Sequence, residues 1–504
     1  MALKEIIAIF LHFQYVTNGA NILAIFPYPF KSHFILGSTL SKALANRGHH
    51  ITMLSPFLLE TPIKNYEQIK ITGIMEKFDS ALPLNLSTSS ILNEMYDLYF
   101  SDPFLTELLA SNRTFDLVIL SWVTNEAFLA IPYHFGAAAV ICSPLGGSKL
   151  TNYVTRNSAP YSYVPFVFGR FPRKMNFFQR VSNIVTSIGF DVDTISRGDD
   201  EGYRQKYFPD APSIWEIVKN ISLVLLNSHY SIENPRPYVP NMIQIGTFHL
   251  QESYYVLNED LKAFLDSAKE GVIFFSLGSL IQGSYLFQDK LDGIIKCFSK
   301  LPVKILWKFD KENVQNLSAN VKISKWFPQR EILAHQNTKL FITHGGQLSS
   351  TEALHSGVPM VGIPIYGDQE YNIGIAVNKG YALEVSFEEL SEETFCNAIN
   401  EVLDNPRYRD NVKKNSLILR DQPMRPIDRA VYWIEYVLQH NKALHLRSNA
   451  VKLYWHEYAL LDVLAFVLGL ALLVLVVLYY FTLRVFKNIW LILLKLRAFF
   501  YPVA

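Results

Sequence analysis

The stretch "FITHGGQLSSTEALHSGVPMVGIPIYGDQ", Phe341 to Gln369, spaces a histidine, a glycine pair, hydroxyl side chains and carboxylates as a phosphorylated ligand would require. "FIT" closes an apolar strand and "HGG" is a tight turn. "QLSSTEALHSG" is a helix stopped by Gly357, with Ser349, Ser350 and Thr351 in its first turns. The open N–H groups and dipole at such a helix start attract phosphate. His344 and Ser349 add donors, and Glu352, further along, suits a ribose diol. The next apolar run ends at Asp368 and Gln369, which together offer acceptors and donors to hydroxyl groups.

Those residues need strands and helices that end at the ligand. "NILAIFPYP" and "HITMLS" bracket the helical "HFILGSTLSKALANRG", in which Leu36, Leu40, Ala43 and Leu44 share a face and Gly48 supplies the stop. "FDLVIL", "AAAVICSP" and "ISLVLLNS" continue this β-α-β pattern. A second series runs through "GVIFFSLGSL", "VKILWKF", "VKISKWFP", "KLFITHGG" and "PMVGIPI", continuous apolar runs of the kind that parallel strands buried on both faces require. The join falls around "HLQESYYVLNEDL", His249 to Leu261. The fold class is α/β, with two doubly wound domains facing each other and a ligand cleft at the carboxyl ends of their strands. Residues 153–212, rich in Tyr, Phe and Pro, read as irregular or helical, either shaping an apolar pocket or packing over the core.

A chain of 504 residues with half of them apolar builds two or three cored domains. Lys+Arg of 46 against Asp+Glu of 45 argues against nucleic acid as a partner. Cys142, Cys297 and Cys396 are too few and too scattered for a disulfide framework or a zinc site, and read as buried fillers. Lys4, the apolar Ile6 to Phe13 and the small Gly19 and Ala20 read as a secretory signal peptide. "VLAFVLGLALLVLVVLYYF", Val463 to Phe481, is long enough to span the hydrocarbon core. Arg484, Lys487, Lys495 and Arg497 follow it and Asp462 precedes it, which puts the tail in the cytosol and the rest on the other side. The sequons at Asn85, Asn112, Asn220 and Asn316 agree with that side.

The pattern of aromatic, His-Gly-Gly, Ser, Glu, Gly-Val-Pro and Asp-Gln resembles the UDP-glycosyltransferase family. The resemblance extends over "PFKSHF", "RGHHITMLS", "SYVPF", "NSHYSIENPRPYVPN", "FFSLGS" and "WFPQREILAH", and "LHLRSNAVKLYWHEYALLDV" is similar to insect members. It implies a GT-B fold of two Rossmann-like domains plus one C-terminal transmembrane helix. The expected organisation is a signal peptide over 1–20, an acceptor domain over 21–250, a UDP-sugar domain over 251–440, a membrane-proximal segment over 441–462, a transmembrane helix over 463–481 and a cytosolic tail over 482–504. It also implies a single-pass protein of the endoplasmic reticulum membrane with lumenal catalytic domains. Its partners would be a UDP-sugar donor and a small lipophilic acceptor; self-association is left open.

Residue by residue, the resemblance implies that Trp326 stacks on uracil and Gln329 helps hold the nucleoside. His344, Gly346 and Ser349 would hold phosphate, Glu352 the ribose, and Asp368 and Gln369 the transferred sugar. Gly278 and Ser279 would approach the diphosphate, with Arg236 of "NPRP" as a further phosphate candidate. His33 matches the family's catalytic base, and histidine's ordinary pKa suits taking a hydroxyl proton near neutrality. In better-known members an aspartate orients that base, but "FDLVILSW" puts Ser121 there, leaving Asp116 or Glu126 as substitutes. "DVD", Asp191 to Asp193, resembles a metal motif but lies far in sequence from the diphosphate loop, so no metal or cofactor is expected. The expected reaction is inverting, metal-independent transfer of a hexose, with glucose favoured by resemblance. Ser121 keeps open a catalytically weak relative that binds a lipophilic ligand or a partner glycosyltransferase.

Overall fold

The computed structural model describes residues 19–81, 88–123, 125–172, 174–196, 199–250, 257–279, 288–310 and 314–500. Residues 1–18 of the expected signal peptide, Asn85 and the side chains of Asp191 to Asp193 lie outside the described residues. Two compact units divide at Ser448 and Asn449.

The first unit holds two parallel sheets. Strands β1 (Asn21–Ile25), β2 (His50–Ser55), β3 (Tyr66–Lys70), β4 (Leu117–Ser121), β5 (Ala138–Ser143), β6 (Ile221–Leu226) and β7 (Met242–Gln244) lie in the order β3-β2-β1-β4-β5-β6-β7. Strands β8 (Val272–Ser276), β9 (Lys304–Lys308), β10 (Val321–Ser324), β11 (Thr338–Thr343), β12 (Met360–Gly362) and β13 (Ala382–Glu384) lie in the order β10-β9-β8-β11-β12-β13. The winding reverses between β1 and β4 in one sheet and between β8 and β11 in the other. Doubly wound sheets open a binding crevice at such points.

Alternation along the strands supplies a core on each face. Leu23 and Ile25 of β1 pack with Tyr96, Tyr99 and Phe128, while Ile22 and Ala24 pack with Leu36, Leu40 and Leu44. In the second sheet Phe275 joins Phe298 and Trp307, and Phe274 joins Phe327 and Phe341. Helix Pro426–Gln439 does not stay with the second sheet. Its Ala430, Ile434 and Val437 join the first sheet's core, and Glu435 takes a two-pronged ion pair from Arg47 at 2.9 and 3.0 Å. The expected domain over 251–440 therefore ends in a helix packed on the first sheet.

Two further expectations change. Cys297 and Cys396 form a disulfide with Cα atoms 5.5 Å apart, and only Cys142 of the described cysteines is free and buried. The pairing was hidden because 99 residues separate two helices, Gln288–Lys300 and Glu392–Asp404, that pack side by side. In the second unit a single helix runs from Leu461 to Phe500, so the tail continues the apolar helix. "NIWLILLKLRAFF" contains no glycine or proline to end it. This helix is long and apolar enough to cross a membrane.

The disulfide closes a long loop, and replacing Cys396 with serine is expected to cost about 2–4 kcal/mol of stability. Thermal unfolding with and without reductant checks this. The wild-type midpoint should fall to the variant's on reduction, and the variant's should not respond; equal midpoints in every sample would contradict the cross-link.

Candidate functional site

His33 enters from the first reversal point. After β1 the chain turns through "FPYPF", and helix Lys31–Asn46 begins with His33 in its first turn. Ile25 pairs with Leu120 across β1 and β4, which brings Ser121, at the end of β4, beside that helix start. The His33 Nδ1 lies 3.0 Å from the Ser121 Oγ, and both residues are buried. The rings of Tyr28 and Phe30 meet His33 edge-on at 5.0 and 5.2 Å. Burial pushes the imidazole down to about 3. Buried Asn125 fixes the loop beyond Ser121, donating to the Ser121 carbonyl at 3.2 Å and accepting from the Val123 N–H at 2.9 Å.

The proposed acids do not join this pair. Asp116 is exposed at the amino end of β4, where it accepts from the Asn21 N–H at 2.8 Å. Five residues at about 3.3 Å each separate it from Ser121. Glu126 is buried in the turn Glu126–Leu129, where its charge acts on the phenols of Tyr96 and Tyr153. Among the described residues no carboxylate is hydrogen-bonded to His33. Its partner is Ser121, at the position where the resemblance implies an acid.

The second reversal point gathers the donor residues. Gly278, just past β8, has φ +85°, and a Cβ there would come within 2.7 Å of the His344 ring. A Cβ on Gly346 would come within 2.6 Å of the same ring, so only glycine lets the two loops close on His344. Helix Gln347–Ser356 begins at Gly346 with no cap from that residue; the Asp368 carboxylate takes the Gln347 N–H, and the N–H groups of the first turn beyond it face a ligand. Ser279, beside Gly278, is exposed. Burial, followed by the nearby Lys308 charge, holds His344 at about 4.

Gln329 ties the next residues together, donating to the Ser349 Oγ at 3.1 Å and the Glu352 Oε2 at 2.6 Å. Trp326, three residues earlier, leaves 57% of its surface exposed, an available stacking face. Asp368 accepts from the Asn372 amide at 2.6 Å, and that amide also donates to the Gly345 carbonyl at 3.0 Å. Burial raises the Asp368 carboxyl above its ordinary range. The Gln369 carbonyl accepts from the N–H groups of Ile365 and Tyr366, so its NH₂ is the part left to offer a ligand. Arg236 is placed differently. It donates to the Gly147 carbonyl and to the Tyr371 hydroxyl at 3.1 Å, bridging the two halves of the unit. Gln347 adds a bridge to the Asn227 carbonyl at 3.2 Å, so loops at the carboxyl ends of both sheets meet.

Two polar residues escaped the sequence reading. Lys308, at the end of β9, donates to the Gly278 carbonyl and sits 5.0 Å over the Trp326 ring; burial lowers it to about 8. The lysine closing "KILWK" was the available signal. His249 is buried 3.6 Å from the Glu352 carboxylate, with neither ring nitrogen hydrogen-bonded. It had no signal, because it lies in the featureless join between the domains.

The family model described as UDP-glucoronosyl and UDP-glucosyl transferase matches residues 64–495. The chain is 34% identical over 480 residues to UDP-glucosyltransferase 2 of Dactylopius coccus, covering 92% of each. It is 31% identical over 493 residues to UDP-glucuronosyltransferase 2B15 of Rattus norvegicus, covering 91% of this chain and 92% of that one. Among solved structures, the glycotransferase of kitacinnamycin aligns with a TM-score of 0.59 at 18% identity, over 84% of this chain and all of that one. A UDP-glucosyltransferase from Polygonum tinctorium aligns with a TM-score of 0.58 at 16% identity, over 84% and 99% of the two chains. The two parallel sheets are thus a GT-B fold. With a family model spanning most of its length and relatives matched nearly end to end, the chain belongs to the UDP-glucuronosyl and UDP-glucosyl transferases, enzymes that move a sugar from a UDP-sugar.

Proposed function

We propose that this enzyme transfers a hexose, with glucose the favoured donor sugar, to a hydroxyl of a small lipophilic acceptor by inverting displacement, with His33 as base. The observation that carries this is the buried His33–Ser121 pair at one reversal point, with the His344, Ser349 and Glu352 group at the other. With Nδ1–H donating to Ser121, the Nε2 lone pair takes the acceptor's proton while the oxygen attacks the anomeric carbon. The bond from that carbon to the UDP oxygen breaks on the opposite side, which inverts the centre. Negative charge grows on the leaving diphosphate, where the N–H groups of helix Gln347–Ser356, His344 and Lys308 offer stabilisation. These groups support a reaction without a metal or cofactor. Trp326 and Gln329 serve the nucleoside, Glu352 the ribose, and Asp368 and Gln369 the sugar, while Arg236 ties the domains instead of reaching phosphate.

Ser121 gives the base an unusual character. A serine hydroxyl holds the tautomer but supplies no negative charge to the imidazolium that forms. His33 therefore stays neutral well below its ordinary pKa, and its deprotonated form persists as the pH falls.

The endoplasmic reticulum lumen is the compartment we assign to the first unit. The Cys297–Cys396 disulfide requires oxidising surroundings. Asn112, Asn220 and Asn316 are all exposed, but Asn220 donates to the Glu216 carbonyl at 3.3 Å and the Ser222 of its sequon is fully buried.

Replacing His33 with alanine is expected to lower acceptor-dependent UDP release by about 10²–10⁴-fold. UDP affinity should stay unchanged, because the donor residues lie on the other sheet; lost UDP binding would contradict this division. UDP binding by wild type with no release from any UDP-sugar would favour the binding-only relative that Ser121 suggests. In the pH profile, the wild-type acid limb should lie well below pH 6.5. Ser121→Asp should move it upward, since a carboxylate favours the imidazolium; a wild-type limb at the ordinary histidine pKa would overturn the neutral pair. Glycosidase treatment should lower the protein's apparent mass on a gel, and Asn112→Gln and Asn316→Gln should each remove one step of that shift. A protein without glycan at either site would argue against the lumenal assignment.

A further inference from the structure

Helix Phe177–Ser196 is built inside out. Phe177, Phe178, Val181, Ile184, Val185 and Ile188 recur at helical spacing on one face, and all are exposed, Phe178 by 79% and Val185 by 64%. The opposite face carries buried Asn183 and Ser187, followed by part-buried Phe190, whose ring packs against Phe166 and Phe168. Asn183, with no exposed surface, donates to the carbonyls of Tyr161 and Val164 at 2.9 and 3.0 Å and accepts from the Phe166 N–H at 2.8 Å. One turn on, buried Ser187 gives its carbonyl to Lys149 at 2.6 Å. The protein body thus holds the helix by the hydrogen bonds of Asn183 and Ser187 and by the ring of Phe190, and leaves the apolar stripe turned outward. A contiguous apolar stripe left in water is unfavourable and marks a surface that meets something apolar.

The surroundings of the stripe select the occupant. From Arg173 to Phe190 the sequence contains no acidic residue, and exposed Lys174 and part-exposed Arg180 stand at the helix's amino end. Tyr161 and Tyr163, exposed beside the segment that grips Asn183, present aromatic rings with polar tips. Apolar residues on one face, cations at the rim and tyrosines at the flank make the composition of a helix lying at the boundary of headgroups and acyl chains. Helix Leu461–Phe500 is able to cross a bilayer and would hold the first unit permanently near lipid.

We propose that helix Phe177–Ser196 lies in the plane of the membrane interface as a second attachment of the enzyme, its occupant being phospholipid. This rests on reading Leu461–Phe500 as the membrane span. A face held in lipid would let an apolar acceptor pass from the bilayer to the acceptor domain without crossing water.

The test uses the full chain in phosphatidylcholine vesicles containing phosphatidylserine. An environment-sensitive fluorophore is placed on Val185→Cys and, as a control, on the exposed Lys262→Cys. Cys142 is buried and the other cysteines are bonded, so labelling is selective. The Val185→Cys label should emit blue-shifted and lose at least about half its intensity when the acyl chains carry bromine, while the control keeps a water-like spectrum. A water-like, unquenched label at 185 would overturn the proposal. A blue-shifted label untouched by bromine would overturn it too, by showing that a second copy or another protein covers the stripe. Release of the protein by alkaline washing would refute the span reading alone, because quenching at 185 still judges this helix on its own.

Discussion

The parallel pairing of β1 with β4, in a register that sets Ile25 against Leu120, is the constraint on which the chemistry depends. It ends two strands at one level, so a histidine from the helix after one meets a serine at the tip of the other. The second sheet repeats the device with β8 and β11, where Phe275 lies against Ile342 and Ser276 against Thr343. There the groups brought together are a glycine with left-handed backbone and a histidine packed against it. A slip in either register would turn alternate side chains to the wrong face and separate the groups.

Burial then decides what the assembled groups can do. His33 and His344 are both dried enough to be neutral at physiological pH, and Lys308 is brought close to it. On the proposed reading, the neutral imidazole of His33 would accept the acceptor's proton. Neutral donors, helix N–H groups and a lysine at the second sheet would, on the same reading, meet a dianionic diphosphate without first repelling or trapping it. Hydrogen bonds of this kind gain strength in a poorly screened site. The Ser121 hydroxyl trades the charge support of a carboxylate for a pair that burial does not penalise with an unpaired anion. That trade distinguishes this chain's site from the acid-supported base that the resemblance implies.

Much of the site was legible because its residues are local to their strands and turns. The helix start after His344 and Gly346, the place of Glu352 on that helix and the polar end at Asp368 follow from one continuous stretch, and the place of His33 follows from the first β-α-β unit. What stayed hidden was set by contacts distant in sequence. Asp116 directly precedes the strand that Ser121 ends, a separation visible only when the strand's length is counted against the position of His33. The Cys297–Cys396 bond and the return of helix Pro426–Gln439 to the first sheet depend on which helices share a layer. The aromatic excursion over 153–212 hides an exposed stripe because apolar periodicity locates a helix without telling which face the protein covers.

The central claim is that His33 works as a neutral base oriented by Ser121, and the tautomer is its most direct measure. Nitrogen chemical shifts of His33 in selectively labelled protein should show a protonated Nδ1 and a bare Nε2 at pH 7, unchanged down to about pH 5. Loss of that signature in Ser121→Ala would assign it to the serine. An imidazolium at pH 7, or a neutral ring carrying its proton on Nε2, would contradict the account.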